Sequence, residues 1–144
     1  MKFGPSDSAL FATGGEKGTI TWVDIDDKVV SKTSTPAEIE KLSSNYMLCI
    51  NGDVLEAIST LEIVSKFIKC IHIFSRTSPN QKDFIVGKLN KEGFVTMMCG
   101  DGTNDVGSLK RADVGLAIVN NKDPSKDDKK KKKTMSMWLK PQDL

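Results

Sequence analysis

Two carboxylates four residues apart, Asp101 and Asp105, stand with Asn104 and the glycines Gly100, Gly102 and Gly107 in the stretch MMCGDGTNDVG, directly after an apolar run. Carboxylates so close on a glycine-rich loop repel each other unless a cation lies between them. The spacing therefore suggests oxygen ligands for a hard cation such as Mg2+. A turn in which Asp101 and Asn104 cap the next helix is the plainer alternative. Lys82 weighs against it, because it falls in the first turn of a predicted helix, where the helix dipole disfavours a cation. An ammonium there makes sense beside a bound anion. Mg2+ on carboxylates, faced by a lysine, makes a cradle for a transferring phosphoryl group, since both neutralise charge on its equatorial oxygens. A nucleophile is the missing part.

Three better-known loops do not fit these residues. A dinucleotide fingerprint would need glycine at Asp105, and an acidic loop would repel a pyrophosphate. A calcium loop counted from Asp101 would need glycine at Val106 and glutamate at Ala112. A phosphate-binding loop would close on Gly-Lys-Ser or Gly-Lys-Thr, which is absent here and at GGEKG near Gly14.

The elements that must carry the loop follow from periodicity. YMLCI reads as a buried strand, and Val54, Ile58, Leu61, Val64 and Ile68 then step by three and four residues, which predicts one helix with an apolar face. CIHIF is the next strand. SPNQKDFIVGKLNKEG is the next helix, with Ser78 and Gln81 as a capping box, Pro79 at the first helical position and Gly93 as the stop. FVTMMC, the acidic loop, the short helix SLKRA and the strand DVGLAIV complete the series. Strands alternating with helices predict an α/β fold with a parallel sheet and flanking helices, which puts Asp101 just past a strand's carboxyl end, where ligands bind in such sheets. Residues 1–45 read as a small, irregular subregion: turn-rich, with one strand over Thr19 to Val23, a second run near Val29, and a helix opened by Thr35, Pro36 and Glu38. Residues 46–119 hold the regular alternation. Residues 120–144 read as a lysine-rich linker.

Composition excludes several classes. The 144 residues, 38% hydrophobic and 28% charged, suit one domain with extras. No run approaches the roughly 18 apolar residues of a membrane span, and the start MKFGPSDSAL lacks the features of a signal peptide, which predicts a soluble polypeptide. Cys49, Cys70 and Cys99 form no CxxC pair and predict core packing in a reducing compartment, and His72 stands alone without a second metal ligand. The net charge of +2 hides the cluster Lys126 and Lys129 to Lys133, suited to an anionic membrane surface or to a solvated linker. No aromatics interleave these lysines, so nucleic acid is not an expected partner.

CGDGTNDVGSLKRADVGLAI resembles the hinge motif of P-type ATPases, GDGxNDxxAL followed by ADVGIA, and SRTSPNQK resembles the segment with that family's phosphate-facing lysine. Val106 and Gly107 replace the proline-containing form of most pumps, and MCGDGTNDVG is similar to the type 5 subgroup, particularly subtype A. The resemblance implies a Rossmann-like, haloacid-dehalogenase-like phosphorylation domain over residues 46–119, from a membrane pump that uses ATP and Mg2+ and forms an aspartyl phosphate. It implies Asp101 as the direct metal ligand, Asp105 as the residue holding the metal site and Lys82, and Lys82 as the stabiliser of the phosphoryl group. Asn104 would contact that group or its waters, and Arg76 and Gly102 would lie on the nucleotide and cofactor side. The implied partners are the nucleotide-binding, actuator and membrane domains of the same ATPase, with the parent protein in the endoplasmic reticulum. The family's phosphorylated DKTGT motif does not occur in these residues, so the segment alone is expected not to hydrolyse ATP. INGD, at Ile50 to Asp53, reads as a helix cap. Two other readings compete: a soluble phosphatase of the same superfamily, and a non-catalytic interaction module with a polybasic tail.

Overall fold

The computed structural model describes residues 8–14, 19–120 and 133–139. It divides into two compact units, Met1–Gln81 and Lys82–Leu144.

The first unit carries β1 (Ala9–Thr13), β2 (Ile20–Val23), β3 (Val29–Thr33), α1 (Pro36–Ser43), β4 (Met47–Asn51), α2 (Gly52–Ile58), α3 (Val64–Ile68) and β5 (Ile73–Ser75). Its five strands form one sheet in the order β3-β2-β1-β4-β5. The β4–β5 and β1–β4 pairs are parallel, whereas β1–β2 and β2–β3 are antiparallel. The three N-terminal strands extend the same sheet, and β2 and β3 lie where the sequence placed strand runs. In ALFAT the side chains alternate, with Leu10 and Ala12 buried and Phe11 and Thr13 exposed. That period of two is what a half-buried strand requires, but the surrounding glycines masked it in the sequence. Trp22 is fully buried, and its indole N–H donates to Thr33 Oγ1 at 2.7 Å.

Local chemistry sets the helix starts. Thr35 Oγ1 accepts from Glu38 N, while the Glu38 carboxylate accepts from the amides of Ser34 (2.8 Å) and Thr35 (3.0 Å). Those backbone bonds, first Ser34's and then Thr35's, with a smaller part from the Thr35 side chain, hold the Glu38 carboxyl below its ordinary value. Asn51 caps α2 by accepting from Val54 N at 2.9 Å, so INGD is a cap. The single helix expected from Val54 to Ile68 is broken between Ile58 and Val64. Ser59 turns its hydroxyl onto Glu56 O at 2.7 Å, one of the local bonds by which serine competes with the helix. Val54, Ile58, Val64 and Ile68 are still all buried, so the apolar face survives the break. The strand expected over CIHIF shrinks to β5. His72, just before it, accepts from Leu48 N through Nδ1 at 3.2 Å and so extends the pairing with β4.

The helix α4 (Pro79–Lys91) starts in the first unit and continues into the second. Gln81 completes the expected box with Ser78 and donates to Gly52 O at 2.9 Å and Glu56 Oε2 at 3.2 Å, tying the helix start to α2. Gly93, at φ 85, follows the helix end. The rest of the second unit is β6 (Met97–Gly100), a 3-10 turn (Thr103–Asp105), α5 (Val106–Arg111), β7 (Val114–Asn120) and β8 (Lys133–Leu139). Its sheet runs β6-β7-β8, with β6–β7 parallel and β7–β8 antiparallel. Part of the expected linker over 120–144 is therefore a strand, since Lys133 to Leu139 pairs along the whole of β7. Lys126 and Lys129 to Lys132 lie outside the described residues, and Lys133 opens β8. The fold is mixed α/β, with parallel pairs at the strand–helix–strand units. Among the described residues no helix is long and apolar enough to cross a membrane.

Two stability outcomes follow. Thr33→Val keeps the shape but leaves the buried Trp22 N–H without its acceptor, an expected loss of about 1–3 kcal/mol read from the urea midpoint. Because the Glu38 carboxyl is lowered in the folded chain, its contribution is present above the unfolded carboxylate value and is lost as pH falls through the folded one. Glu38→Gln should flatten that part of the acid-stability profile.

Candidate functional site

The site is built where β6 ends. Gly100 closes the strand, Asp101 and Gly102 form an exposed bend, and the 3-10 turn brings Asp105 back over the strand end. Asp105 N donates to Gly102 O at 3.2 Å, and the fully buried Ser108 hydroxyl donates to Asp105 O at 3.0 Å. Gly100 is demanded by this return: a Cβ on it would lie 2.6 Å from both Cβ and Oδ2 of Asp105. Asp105 is thus a buried carboxylate at the carboxyl edge of a parallel strand pair.

Burying a carboxylate is costly without a charged partner. Lys82, in the first turn of α4, supplies one: its ammonium donates to Asp105 Oδ1 at 2.7 Å, with the Asp105 side chain 11% exposed and that of Lys82 36%. The partial opening on the lysine side keeps the ammonium accessible to a ligand. Neither the 3-10 turn, whose N-cap is Gly102, nor α5, whose N-cap is Asp105, is capped by a side-chain hydrogen bond, so helix capping does not explain Asp105.

The residues singled out in the sequence divide as follows. Lys82 and Asp105 are in contact, and Gly102 meets Asp105 through its carbonyl. Asp101 and Asn104 lie in the same turn segment and are exposed. Arg76 belongs to the first unit, exposed in the left-handed region at φ 50 just after β5. Sequence reasoning missed Gly100 and Ser108, which shape the turn around Asp105. It also missed Asp83 and Arg111, whose ion pair at 2.6 Å joins the same two segments as Lys82 and Asp105.

Among the described residues no group of three or more His, Cys, Asp or Glu could by itself cage a metal ion. The donor set nonetheless suits Mg2+ in its chemistry, since that ion keeps several waters and binds through one or two carboxylates with substrate phosphates supplying the rest. Asp101 and Asp105 are the residues that would hold it.

No family model matches the chain. It is 40% identical over 138 residues to a probable manganese-transporting ATPase of Arabidopsis thaliana, which matches 92% of this chain and 12% of that protein. It is 37% identical over 102 residues to the endoplasmic reticulum transmembrane helix translocase of Schizosaccharomyces pombe, over 70% of this chain and 8% of that protein. One relative is named as a transporting ATPase and the other as a helix translocase.

The chain belongs to the P-type ATPases. It spans only a small part of the P-type relatives that it matches, 12% and 8% of their lengths. A solved catalytic domain of a CPx-ATPase also aligns, at 25% identity over 81% of this chain and 47% of that one, but with a TM-score of 0.30.

The cysteines of this P-type segment differ from one another. Cys49 and Cys70 are buried, and burial pushes their thiols up, whereas Cys99 on β6 is exposed, which corrects the core placement expected for it. The thiolate is the reactive form, so a disulfide reagent at neutral pH should modify Cys99 quickly and the other two only on unfolding. Uniform reactivity of all three would contradict these placements.

Gly100→Ala should force the Asp105 carboxylate off the strand end. An expected loss of about 1–3 kcal/mol, read by chemical denaturation, would match the cost of overpacking.

Proposed function

We propose that this chain is part of the phosphorylation domain of a type 5 P-type ATPase of the endoplasmic reticulum membrane, an ATP-driven transporter that cycles through an aspartyl phosphate. The observation that carries the reading is the Lys82–Asp105 ion pair at 2.7 Å, at the end of a parallel strand, on a loop that also bears Asp101 and Asn104. A soluble phosphatase fragment would share the loop, but the similarity over 92% of the chain is to a transporter. The helix translocase similarity supports the subgroup and the membrane of residence.

Each side chain then has a task. Lys82 places a fixed positive charge against the equatorial oxygens of the transferring phosphoryl group, where charge spreads in the transition state. Asp105 orients Lys82 through their 2.7 Å ion pair. Asp101, exposed at the strand end, and Asp105 would hold Mg2+, which when bound supplies further neutralisation of the phosphate oxygens. Asn104, the neutral polar side chain of the turn, donates its amide to a phosphate oxygen or to a bound water. Gly102 keeps the loop low enough for that approach, and Arg76 serves the nucleotide side. The nucleophilic aspartate comes from another part of the transporter, so the 144-residue segment alone does not hydrolyse ATP. The transporter's remaining domains are its partners.

The test is phosphoenzyme formation from ATP in the transporter that contains this segment. Asp101→Asn should abolish it, because an amide cannot supply the charge that holds the metal. Lys82→Ala should slow it by on the order of 10²–10³-fold, the loss typical of one preorganised charge donor, with the protein still folded. Normal phosphorylation in Asp101→Asn would remove the metal-ligand role. A collapse of folding in Lys82→Ala would make that lysine structural.

A further inference from the structure

Lys82 is followed by Asp83, and Asp105 is followed by the helix that ends at Arg111. The two consecutive residues of α4 therefore pair with the two ends of one short segment: Lys82 with Asp105 at 2.7 Å, and Asp83 with Arg111 Nε at 2.6 Å. A third tie lies further along α4, where Asn90 Nδ2 donates to Arg111 O at 3.0 Å. Asn90 is held in turn by Thr96, whose hydroxyl bonds Asn90 Oδ1 at 2.6 Å and Asp113 Oδ2 at 3.2 Å. Between the two ties, at the same face of α4 one helical turn from Asp83, stands Gly87, and a Cβ there would come within 2.8 Å of Arg111 Cδ. A glycine in a helix interior is intrinsically unfavourable, so its presence marks the room that the arginine shaft takes.

We propose that Asp83, Gly87 and Arg111 form a positioning device that holds α5, and with it Asp105, in register with Lys82. Its catalytic consequence rests on the role in phosphoryl transfer proposed for Lys82 and Asp105. Arg111 acts through the segment that links it to Asp105. Hydrogen bonding to Asp83 raises the Arg111 pKa above its ordinary value. The side chains are 50% and 30% exposed, so the pair contributes little to global stability, and its use lies in geometry. Register matters because a misplacement of about 1 Å in a catalytic group can cost on the order of a hundredfold in rate.

Two measurements test this. In the 144-residue chain, Arg111→Ala should loosen α5 from α4 and so speed hydrogen exchange at the Asp105 and Ala112 amides, which bond Gly102 O and Ser108 O at the two ends of α5, by about tenfold or more. Exchange across β4 should stay as it is. Gly87→Ala should do the same although it favours the helix, which separates displacement of Arg111 from a general loss of stability. Unchanged exchange at Asp105 in both variants overturns the proposal. In the transporter containing the segment, Arg111→Ala should slow phosphoenzyme formation by on the order of tenfold with the KM for ATP unaltered, and should add nothing in a Lys82→Ala background. Equal slowing in both backgrounds overturns it, because Arg111 would then act independently of Lys82. If Lys82→Ala alone leaves phosphorylation untouched, the functional reading of Lys82 falls, while the exchange measurement still decides the clamp.

Discussion

The second unit is organised around one electrostatic requirement: Asp105 is buried, and a buried carboxylate must be paired. Lys82 meets that requirement from the first turn of α4. Much of the local architecture is arranged so that this contact forms. Gly100 has no side chain because the carboxylate folds over it, and Ser108 is fully buried because its hydroxyl holds the Asp105 carbonyl. The position of Lys82 runs against the helix dipole, so an anion outside the helix has to offset it, and Asp105 is that anion in the folded chain. A phosphoryl group arriving at the half-open lysine would meet a charge already fixed in place and costing little reorganisation.

The same helix links two kinds of chemistry through neighbouring residues. Gln81 ends the first unit by closing the capping box and bonding Gly52 and Glu56, whereas Lys82 begins the second by pairing with Asp105. Asp83 adds the third consecutive contact.

The family similarity and the physical reading reach the site from different directions. The similarity covers most of the chain but only a small part of the relatives, so it bears on the family of this segment. The residues themselves bear on chemistry: a carboxylate-rich, glycine-rich turn stands at a strand's carboxyl edge, with a lysine brought to it.

Local chemistry, meaning features decided within a few residues, was legible in the sequence. The capping boxes at Thr35 and Ser78, the cap at Asn51, the stop at Gly93 and the strand before the acidic loop all depend on neighbours close in the chain, and all are present in the fold. The acidic loop and Lys82 could be marked as chemical because charges in those places are locally unfavourable. What depended on distant residues was not legible. Strand β1 was hidden by glycine-rich turns until it found β4, the long apolar helix was broken where Ser59 satisfied the backbone another way, and β8 emerged after a lysine run because β7 offered a full edge for pairing. Asp83 and Arg111 gave no signal at all, since two opposite charges far apart in a chain become a contact only when tertiary structure brings their helices together.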